Sequence, residues 1–345
     1  VVQTCAWIIL NKKTYDYKPV VHRLTDGDDS HKKENLLKGN YIYKVLTQSD
    51  FRKIPGSPLV YWVSKNFLLS ISKSGCLSDD YHVKSGLSSA DNDRFIRYWH
   101  EVSAKRLYVF SSEGGRGCKW FGCNKGGEYK KWYGNNRFVV DWENDGFALK
   151  RYENAYVRNE SFYFIEGVTW TMIGGGDLAV RYTPPGFIFD FASPSIFTKI
   201  GDQDLFYLLA FLNSSVCNLV ASILSPTLNL SPGVVARFPN IIDKGMSEEI
   251  SAKASHLVDL SVNDCQNFEE NLDFKVHPLV LKRCCLKDAF ACFFKDNIEL
   301  AEKIKNTEEE INSHFIEKYN AEQDASHAVC MSDVTLLSNP YFRSV

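Results

Sequence analysis

Phe138-Val139-Val140-Asp141-Trp142 and Phe187-Ile188-Phe189-Asp190-Phe191 are short runs of β-branched and aromatic residues. Such runs are how strands of a half-buried sheet are spelled. Between residues 105 and 190 the same spelling recurs at Leu107 to Phe110 and Ser161 to Ile165, with Gly-rich connections between the runs. The pattern predicts a mostly antiparallel β region. Towards the C-terminus the spacing changes. Residues 203–223 read as one apolar helix and 247–262 as a more polar one, and the chain is helical from Leu286 onward. Ile304, Ile311 and Phe315 share a helical face by spacing, and Thr307 with Glu310 fits a capping box that opens a second helix before Ile311. Towards the N-terminus, residues 70–93 and the clusters Thr25-Asp26-Gly27-Asp28-Asp29-Ser30 and Ile54-Pro55-Gly56-Ser57-Pro58 read as loops and turns. Val1 to Leu10 reads as a buried strand. The fold class is therefore α+β: a mixed, mostly antiparallel β domain followed by a helical domain, with boundaries at 1–60, 61–245 and 246–345.

The bulk numbers narrow the function. The 345 residues are comfortable for two domains. Lys and Arg number 40 against 42 Asp and Glu, a net charge of −2, so no global field draws the chain to nucleic acid and any such surface must be a local basic patch. Aromatic content is 14%, enough to supply stacking surfaces besides a core. No stretch approaches the roughly 20 apolar residues that span a bilayer. The longest, Leu205 to Val220, is broken by Asn213, Ser214 and Ser215. No secretory pattern opens the chain, and the 10 cysteines are scattered, which predicts reduced thiols in a cytoplasmic, membrane-free protein. A strand-like start without Met reads as the middle of a larger protein.

The sharpest local feature is Gly126-Gly127-Glu128-Tyr129-Lys130-Lys131-Trp132-Tyr133-Gly134-Asn135-Asn136-Arg137. From Arg116 to Arg137 the basic residues Arg116, Lys119, Lys125, Lys130, Lys131 and Arg137 face one acid, Glu128, with Trp120, Tyr129, Trp132 and Tyr133 interleaved. Ammonium and guanidinium groups neutralise phosphates, aromatic planes stack on unpaired bases, and asparagine amides match an adenine edge. The alternative is a solvated hairpin with Trp132 in the core.

Other signals are weaker. Gly174-Gly175-Gly176-Asp177 and Gly114-Gly115-Arg116-Gly117 lack the spacing of a P-loop or dinucleotide fingerprint and read as turns. Cys118 and Cys123 lack a second ligand pair, so they read as free thiols and no metal is expected. His277 has no neighbouring nucleophile and reads as structural. Adenine methylation needs a Pro-Pro-aromatic motif preceded by Asn, Asp or Ser to hold a flipped base. Thr183-Pro184-Pro185-Gly186 lacks both the polar residue and the aromatic, Asn339-Pro340-Tyr341 is one proline short, and no Gly-rich cofactor turn is present.

Taken in order, the segments resemble one family, the adenine-specific methyltransferases of BREX phage-defence systems called PglX. Val1 to Leu10 looks like the end of that family's methyltransferase core. Ser49 to Pro58 and Tyr61-Trp62-Val63-Ser64 are similar to its next segment. Gly86 to Phe95, with Trp99 and Glu101-Val102, resembles the opening of its target-recognition domain, with Ser89-Ala90 where Thr-Gly is expected. Residues 126–146, ending Asp141-Trp142-Glu143-Asn144-Asp145-Gly146, follow its most distinctive block. Glu166 to Trp170, Arg181, Phe187 to Asp190, Leu212-Asn213-Ser214 and Pro226 to Asn229 come next. Asp273-Phe274-Lys275, His277-Pro278-Leu279 and Glu308 to Asn312 complete the match.

The resemblance implies methyl transfer from S-adenosylmethionine to an adenine amine in the parent enzyme. It implies double-stranded DNA, the parent's methyltransferase core and other BREX proteins as partners. This chain would hold no cofactor and carry no catalysis of its own. The residues expected to contact DNA are Lys125, Lys130, Lys131, Trp132, Tyr133, Asn135, Asn136 and Arg137, with Arg94, Trp170 and Arg181 beside them. The rival readings are a protein-interaction module whose acidic helical tail docks a partner, and an unrecognised hydrolase.

Overall fold

A computed structural model gives the fold. It describes the chain except residues 1–4, 13, 15, 16, 25, 26, 45, 55, 109–116, 175, 200–203, 226–228, 241–244, 283 and 343–345. Several expectations fall wholly or partly outside the described residues: Val1 to Thr4, the Thr25-Asp26 turn, Val109 and Phe110 at the end of the Leu107 run, Gly114-Gly115-Arg116, Gly175 and Pro226 to Leu228.

The chain divides into two compact units, residues 1–72 and 73–345, so both sides of residue 245 lie in the second unit. Helices take 42% of residues and strands 15%, which makes the class α+β. In the first unit β1 (Val21–His22) pairs antiparallel with β2 (Ile42–Tyr43), and α1 (Asp29–Lys38), α2 (Gln48–Phe51) and α3 (Lys65–Lys73) carry the rest. The turn α2 is fixed at its start by Asp50, whose Oδ2 accepts from Thr47 N and Oγ1 at 2.9 and 2.8 Å. Cys5–Leu10 forms no strand and is exposed, against expectation. A strand needs a neighbour for its N–H and C=O groups, and none of the described residues pairs with this run.

The second unit opens with β3 (Gly75–Cys76), α4 (Leu77–Asp80), β4 (Tyr81–Lys84), α5 (Asn92–Phe95), β5 (Ile96–Tyr98), β6 (Trp120–Asn124) and β7 (Phe138–Asp141). It continues through α6 (Glu143–Lys150), β8 (Gly167–Trp170), β9 (Val180–Thr183), β10 (Phe187–Phe189) and β11 (Ser195–Thr198). One sheet has the order β10-β6-β7-β5 and the other β4-β11-β8-β9. All their pairings are antiparallel except β10 with β6. In β6–β7 the register sets Phe121 opposite Val140. These residues, with Phe95, Trp142, Tyr163, Ile188, Phe189 and Phe197, form the β core. Cys118 and Cys123 lie buried in it as free thiols, and burial pushes the Cys123 thiol well up.

Two strand expectations give way to turns. Leu107 makes only an isolated bridge to Trp120 after a 3-10 turn at Ala104–Arg106. Ser161 to Ile165 is entered through Asn159 at φ +55° and a 3-10 turn, Glu160–Phe162. Its aromatic density serves the core through Tyr163 rather than a sheet face.

The helical part is α7 (Leu205–Leu212), α8 (Ser215–Leu224), α9 (Pro232–Val235), α10 (Ser247–Cys265), α11 (Pro278–Leu281) and α12 (Leu286–Tyr319), with a short β12 (Pro239–Asn240) antiparallel to β3. The expected single helix over 203–223 is two, bent by 69°. Asn213 breaks it. Its amide accepts from Val180 N and donates to Val180 O, both at 2.9 Å, and so caps the edge of β9. Ser214 then caps α8 by accepting from Cys217 N. In the opposite direction, α12 is one helix where a second start at Thr307 is expected, because Thr307 Oγ1 donates back to Lys303 O at 3.0 Å within the helix. Ile304, Ile311 and Phe315 are buried on one face, as their spacing predicts. That stripe runs on to Phe294, Phe290 and Leu286, which are exposed.

Candidate nucleic-acid interface

The glycine- and base-rich segment leaves β6 at Asn124 and reaches β7 at Phe138. Five of its residues take left-handed φ: Gly126 (+77°), Gly127 (+131°), Trp132 (+67°), Gly134 (+128°) and Asn135 (+61°). Trp132 and Asn135 tolerate that region less readily than glycine, and the surroundings hold them there. Trp132 N donates to Val180 O at 2.9 Å and Tyr182 N donates to Trp132 O at 2.7 Å, so the segment adds a one-residue parallel bridge to the edge of β9.

The side chains of Lys130, Lys131, Trp132, Tyr133 and Asn136 point inward. Trp132 is 1% exposed and Lys131 6%. Lys131 Nζ donates to Glu308 Oε2 at 2.9 Å, and Trp132 Nε1 donates to Glu308 Oε1 at 2.6 Å. Burial alone would pull the Lys131 ammonium down, but the Glu308 carboxylate overrides it and holds the ammonium above its ordinary range. Tyr133 OH and Asn136 Nδ2 both donate to Asp273 Oδ2, at 2.9 and 3.2 Å. Burial, reinforced by Asp273, drives the Tyr133 phenol well up. Arg137 Nη2 donates to Glu270 Oε1 at 2.8 Å. Lys130 Nζ is buried without a hydrogen-bond partner among the described residues, 3.9 Å from Asp264 Oδ2. The Asp264 oxygens already accept from Leu337 N and Ser338 N.

The structure thus brings Lys130, Lys131, Trp132, Tyr133, Asn136 and Arg137 together, but against four acids of the helical part. Of these, Lys130, Lys131, Trp132, Tyr133 and Asn136 are buried and present no surface to a duplex in this conformation. The reading of a core Trp132 describes its position. Trp170 is also buried, its Nε1 donating to Leu230 O at 2.9 Å. Arg181 is 2% exposed, and the one hydrogen bond of its guanidinium among the described residues is a long 3.5 Å contact to Thr171 Oγ1. Burial lowers its guanidinium to about 10.

Four of the expected residues keep access to solvent. Asn135 is half-buried, with Nδ2 donating to Glu128 O, and Arg137 is partly exposed beside Glu270. Lys125 Nζ donates to Asn92 Oδ1 at 2.8 Å and lies 3.6 Å from Asp190. Arg94 is exposed, its guanidinium 5.1 Å from the Tyr152 ring centroid. Arg116 lies outside the described residues.

Sequence reasoning missed the acids as partners. One signal for Glu308 was available: it stands four residues after Ile304 on the apolar face of α12, where a charge requires a buried partner. The acidic balance of that helix serves, at this position, the chain's own lysine.

The turn that follows β7 contributes a second locally strained element. Asn144, Asp145 and Gly146 in α6 all have positive φ, +51°, +60° and +68°. Glu143 beside them pairs with Arg106 and lies 3.7 Å from Lys119. Among the described residues no group of three His, Cys, Asp or Glu has the placement to hold a metal ion.

No protein-family model matches the chain. It is similar to the adenine-specific methyltransferase BrxX of Escherichia coli O9:H4 (strain HS), with 37% identity over 314 residues, 91% of this chain and 25% of that protein. It is similar to the adenine-specific methyltransferase PglX of Lacticaseibacillus casei (strain Zhang), with 31% identity over 349 residues, 94% of this chain and 29% of that protein. Among solved structures, the type IIG restriction endonuclease BpuSI superposes with a TM-score of 0.35 at 11% identity, over 56% of this chain and 28% of that one. The chain therefore spans between a quarter and three tenths of the length of the curated relatives it matches. Over that shared length, it belongs to the PglX family of BREX adenine-specific methyltransferases.

Proposed function

We propose that this chain is the DNA-recognition portion of an adenine-specific methyltransferase and does no methyl transfer itself. The observation that carries the reading is a mismatch. The similarity to adenine methyltransferases covers 91% of the chain, yet the chain lacks the residues that hold a flipped adenine. The residues present do not fit S-adenosylmethionine either. Gly174 and Gly176 lie in the connection between the antiparallel β8 and β9, where a Cβ on either would meet nothing within 4 Å. A cofactor cradle needs a tight turn from strand to helix instead. Thr183-Pro184-Pro185-Gly186 merely turns β9 into β10.

In this reading the parent enzyme supplies the cofactor and the chemistry, and duplex DNA is the ligand of this region. The parent's methyltransferase core and other BREX proteins are its partners, in the cytoplasm. The segment at 126–137 acts from behind the DNA surface. Its buried members Lys130, Lys131, Trp132, Tyr133 and Asn136 fix the loop, with Trp170 and Arg181 behind the adjacent strands. Arg94, Lys125, Asn135 and Arg137 are the members with access to DNA. A clasped loop suits recognition, because contact residues must be held within a fraction of an ångström by their supports.

The test is equilibrium binding of the chain to labelled duplex across a salt series, together with tritium-labelled S-adenosylmethionine offered with unmethylated duplex. Steep salt dependence without incorporation supports the reading. Methyl incorporation by the purified chain overturns its non-catalytic part, and salt-independent or absent DNA binding overturns the recognition part.

A further inference from the structure

Three arginines on the surface of the second unit share one arrangement, and only the first of them, Arg94, belongs to the expected contact set. Arg94 lies 5.1 Å from the Tyr152 ring centroid and 5.3 Å from that of Phe95. Arg151 covers the Phe147 ring at 3.9 Å, and Arg158 lies 5.4 Å from the Tyr156 ring. All three arginines are exposed, and none forms a salt bridge with the described residues. The rings beneath two of them are themselves open to solvent, Phe147 at 52% and Tyr156 at 56%.

The backbone ties these residues into one neighbourhood. Ser88 N donates to Tyr156 O and Tyr156 N donates to Ser88 O, both at 2.8 Å, which joins the 151–158 segment to the loop that leads into α5. Tyr152 OH donates to Asp91 Oδ2 at 3.0 Å, and Asp91 caps the helix that carries Arg94. Asn92 in that helix accepts from Lys125 Nζ. Asp93 and Glu153 are exposed acids in the same stretch, and neither takes one of the three guanidiniums.

An arginine on a ring face is held by cation–π attraction while the N–H edges of its planar fork stay open. Such a fork matches a phosphate bidentately. A side chain already ordered loses less entropy on binding. We propose that Arg94, Arg151 and Arg158, each lying over an aromatic ring, form with Lys125 the surface that grips the phosphate backbone of duplex DNA. The inference rests on the DNA-recognition reading and adds Arg151 and Arg158 to its accessible contacts.

Fluorescence anisotropy with a fluorescein-labelled random-sequence duplex across a KCl series tests it, on the full chain. The probe proteins are the unmodified chain, the triple variant Arg94→Ala, Arg151→Ala, Arg158→Ala, and the triple Arg→Lys variant, each checked by thermal melting. The alanine variant should bind roughly tenfold or more weakly and lose about one unit of log–log salt slope per arginine. The lysine variant should keep most of the slope but bind more weakly, because a point charge replaces a fork stacked on its ring. If the unmodified chain binds with a steep slope and the alanine variant matches it, this surface is not the contact and DNA recognition stands elsewhere. A lysine variant equal to the unmodified chain overturns the role of the stacked fork. If the unmodified chain shows no salt-dependent binding at all, the recognition reading fails and this inference fails with it.

Discussion

Glu308 and Trp132, 176 positions apart, are joined by a 2.6 Å hydrogen bond from the indole Nε1 to the carboxylate. The second carboxylate oxygen takes Lys131 Nζ at 2.9 Å. One side chain of the long helix therefore satisfies two adjacent buried donors of the loop. Removing it leaves a buried ammonium without its counter-charge, an expensive state. Glu308→Ala should cost about 3–5 kcal/mol of stability, read as a shift in urea midpoint. Adding Lys131→Met to Glu308→Ala should recover much of the loss. Equal stability of the double and single variants would show that the ion pair is not what holds the loop.

Lys131 itself should separate stability from DNA contact. Lys131→Ala is expected to lower the melting temperature. At a temperature where the variant is folded, the slope of log affinity against log salt should be unchanged, because a buried ammonium displaces no counterion from DNA. A slope reduced by about one unit would make Lys131 a phosphate contact after all.

Gly134 is needed for its backbone. It has φ +128°, and a Cβ there would meet Lys130 Cε at 2.9 Å and Cys265 Sγ at 3.3 Å. Gly134→Ala should destabilise the chain by about 1–3 kcal/mol through strain in that conformation. Gly174→Ala, with open space around it, is the control and should change little. Denaturant midpoints of the two variants decide the point, and equal midpoints would count against strain at Gly134.

Arg181 presents the opposite case, a buried charge with poor compensation. Burial lowers its guanidinium to about 10, and its hydrogen bond to Thr171 is 3.5 Å long. An apolar side chain of similar length costs less to bury. Arg181→Met should leave the melting temperature of the DNA-free chain unchanged or raised. A clear fall would mean that the guanidinium is better held than its contacts indicate.

The first unit carries an acid-sensitive cap. Burial raises the Asp50 carboxyl, but hydrogen bonds from Lys53 and from the backbone and hydroxyl of Thr47 outweigh it and bring it from 3.8 down to about 2. A carboxylate depressed in the folded state stabilises fully above its unfolded value and loses that contribution as pH falls through the folded one. Asp50→Asn should therefore lower the melting temperature at pH 5, with the difference from the unmodified chain closing as the pH is taken towards 2. A difference that persists there would assign the effect to something other than ionisation.

Much of the fold was legible. The Phe138 and Phe187 runs form strands, as their β-branched and aromatic composition predicts, and Ile304, Ile311 and Phe315 share a buried face, because a period-3.6 pattern records one-sided burial directly. What failed was local spelling without its partner. Trp7-Ile8-Ile9-Leu10 is written as a strand, but pairing is a property of two segments. Ser161 to Ile165 is aromatic enough for a strand, but Asn159 at positive φ turns it. Asn213 broke a helix because its amide was needed at the edge of β9. The inward packing of the candidate loop was illegible for a related reason. Lysine, tryptophan and asparagine have the same chemistry facing a phosphate or facing Glu308, and the sequence of the loop alone does not contain its partner. The stacked arginines leave no signal in the sequence, because Phe147 with Arg151 and Tyr156 with Arg158 are ordinary surface pairs until the fold brings Ser88 and Asp91 beside them.

The acids that answer the 126–137 loop lie at 264, 270, 273 and 308, all beyond the place where composition suggests a cut. Segments of related chains can be exchanged, and the place of the cut then matters. A graft that ended near residue 245 would carry Lys131, Trp132 and Tyr133 into the host and leave Glu308 and Asp273 behind. The recipient would inherit a buried ammonium, an indole and a phenol with foreign acceptors or none. The smallest portable piece is accordingly the whole second unit, loop and long helix together, and chimaeras joined inside it should fail at folding.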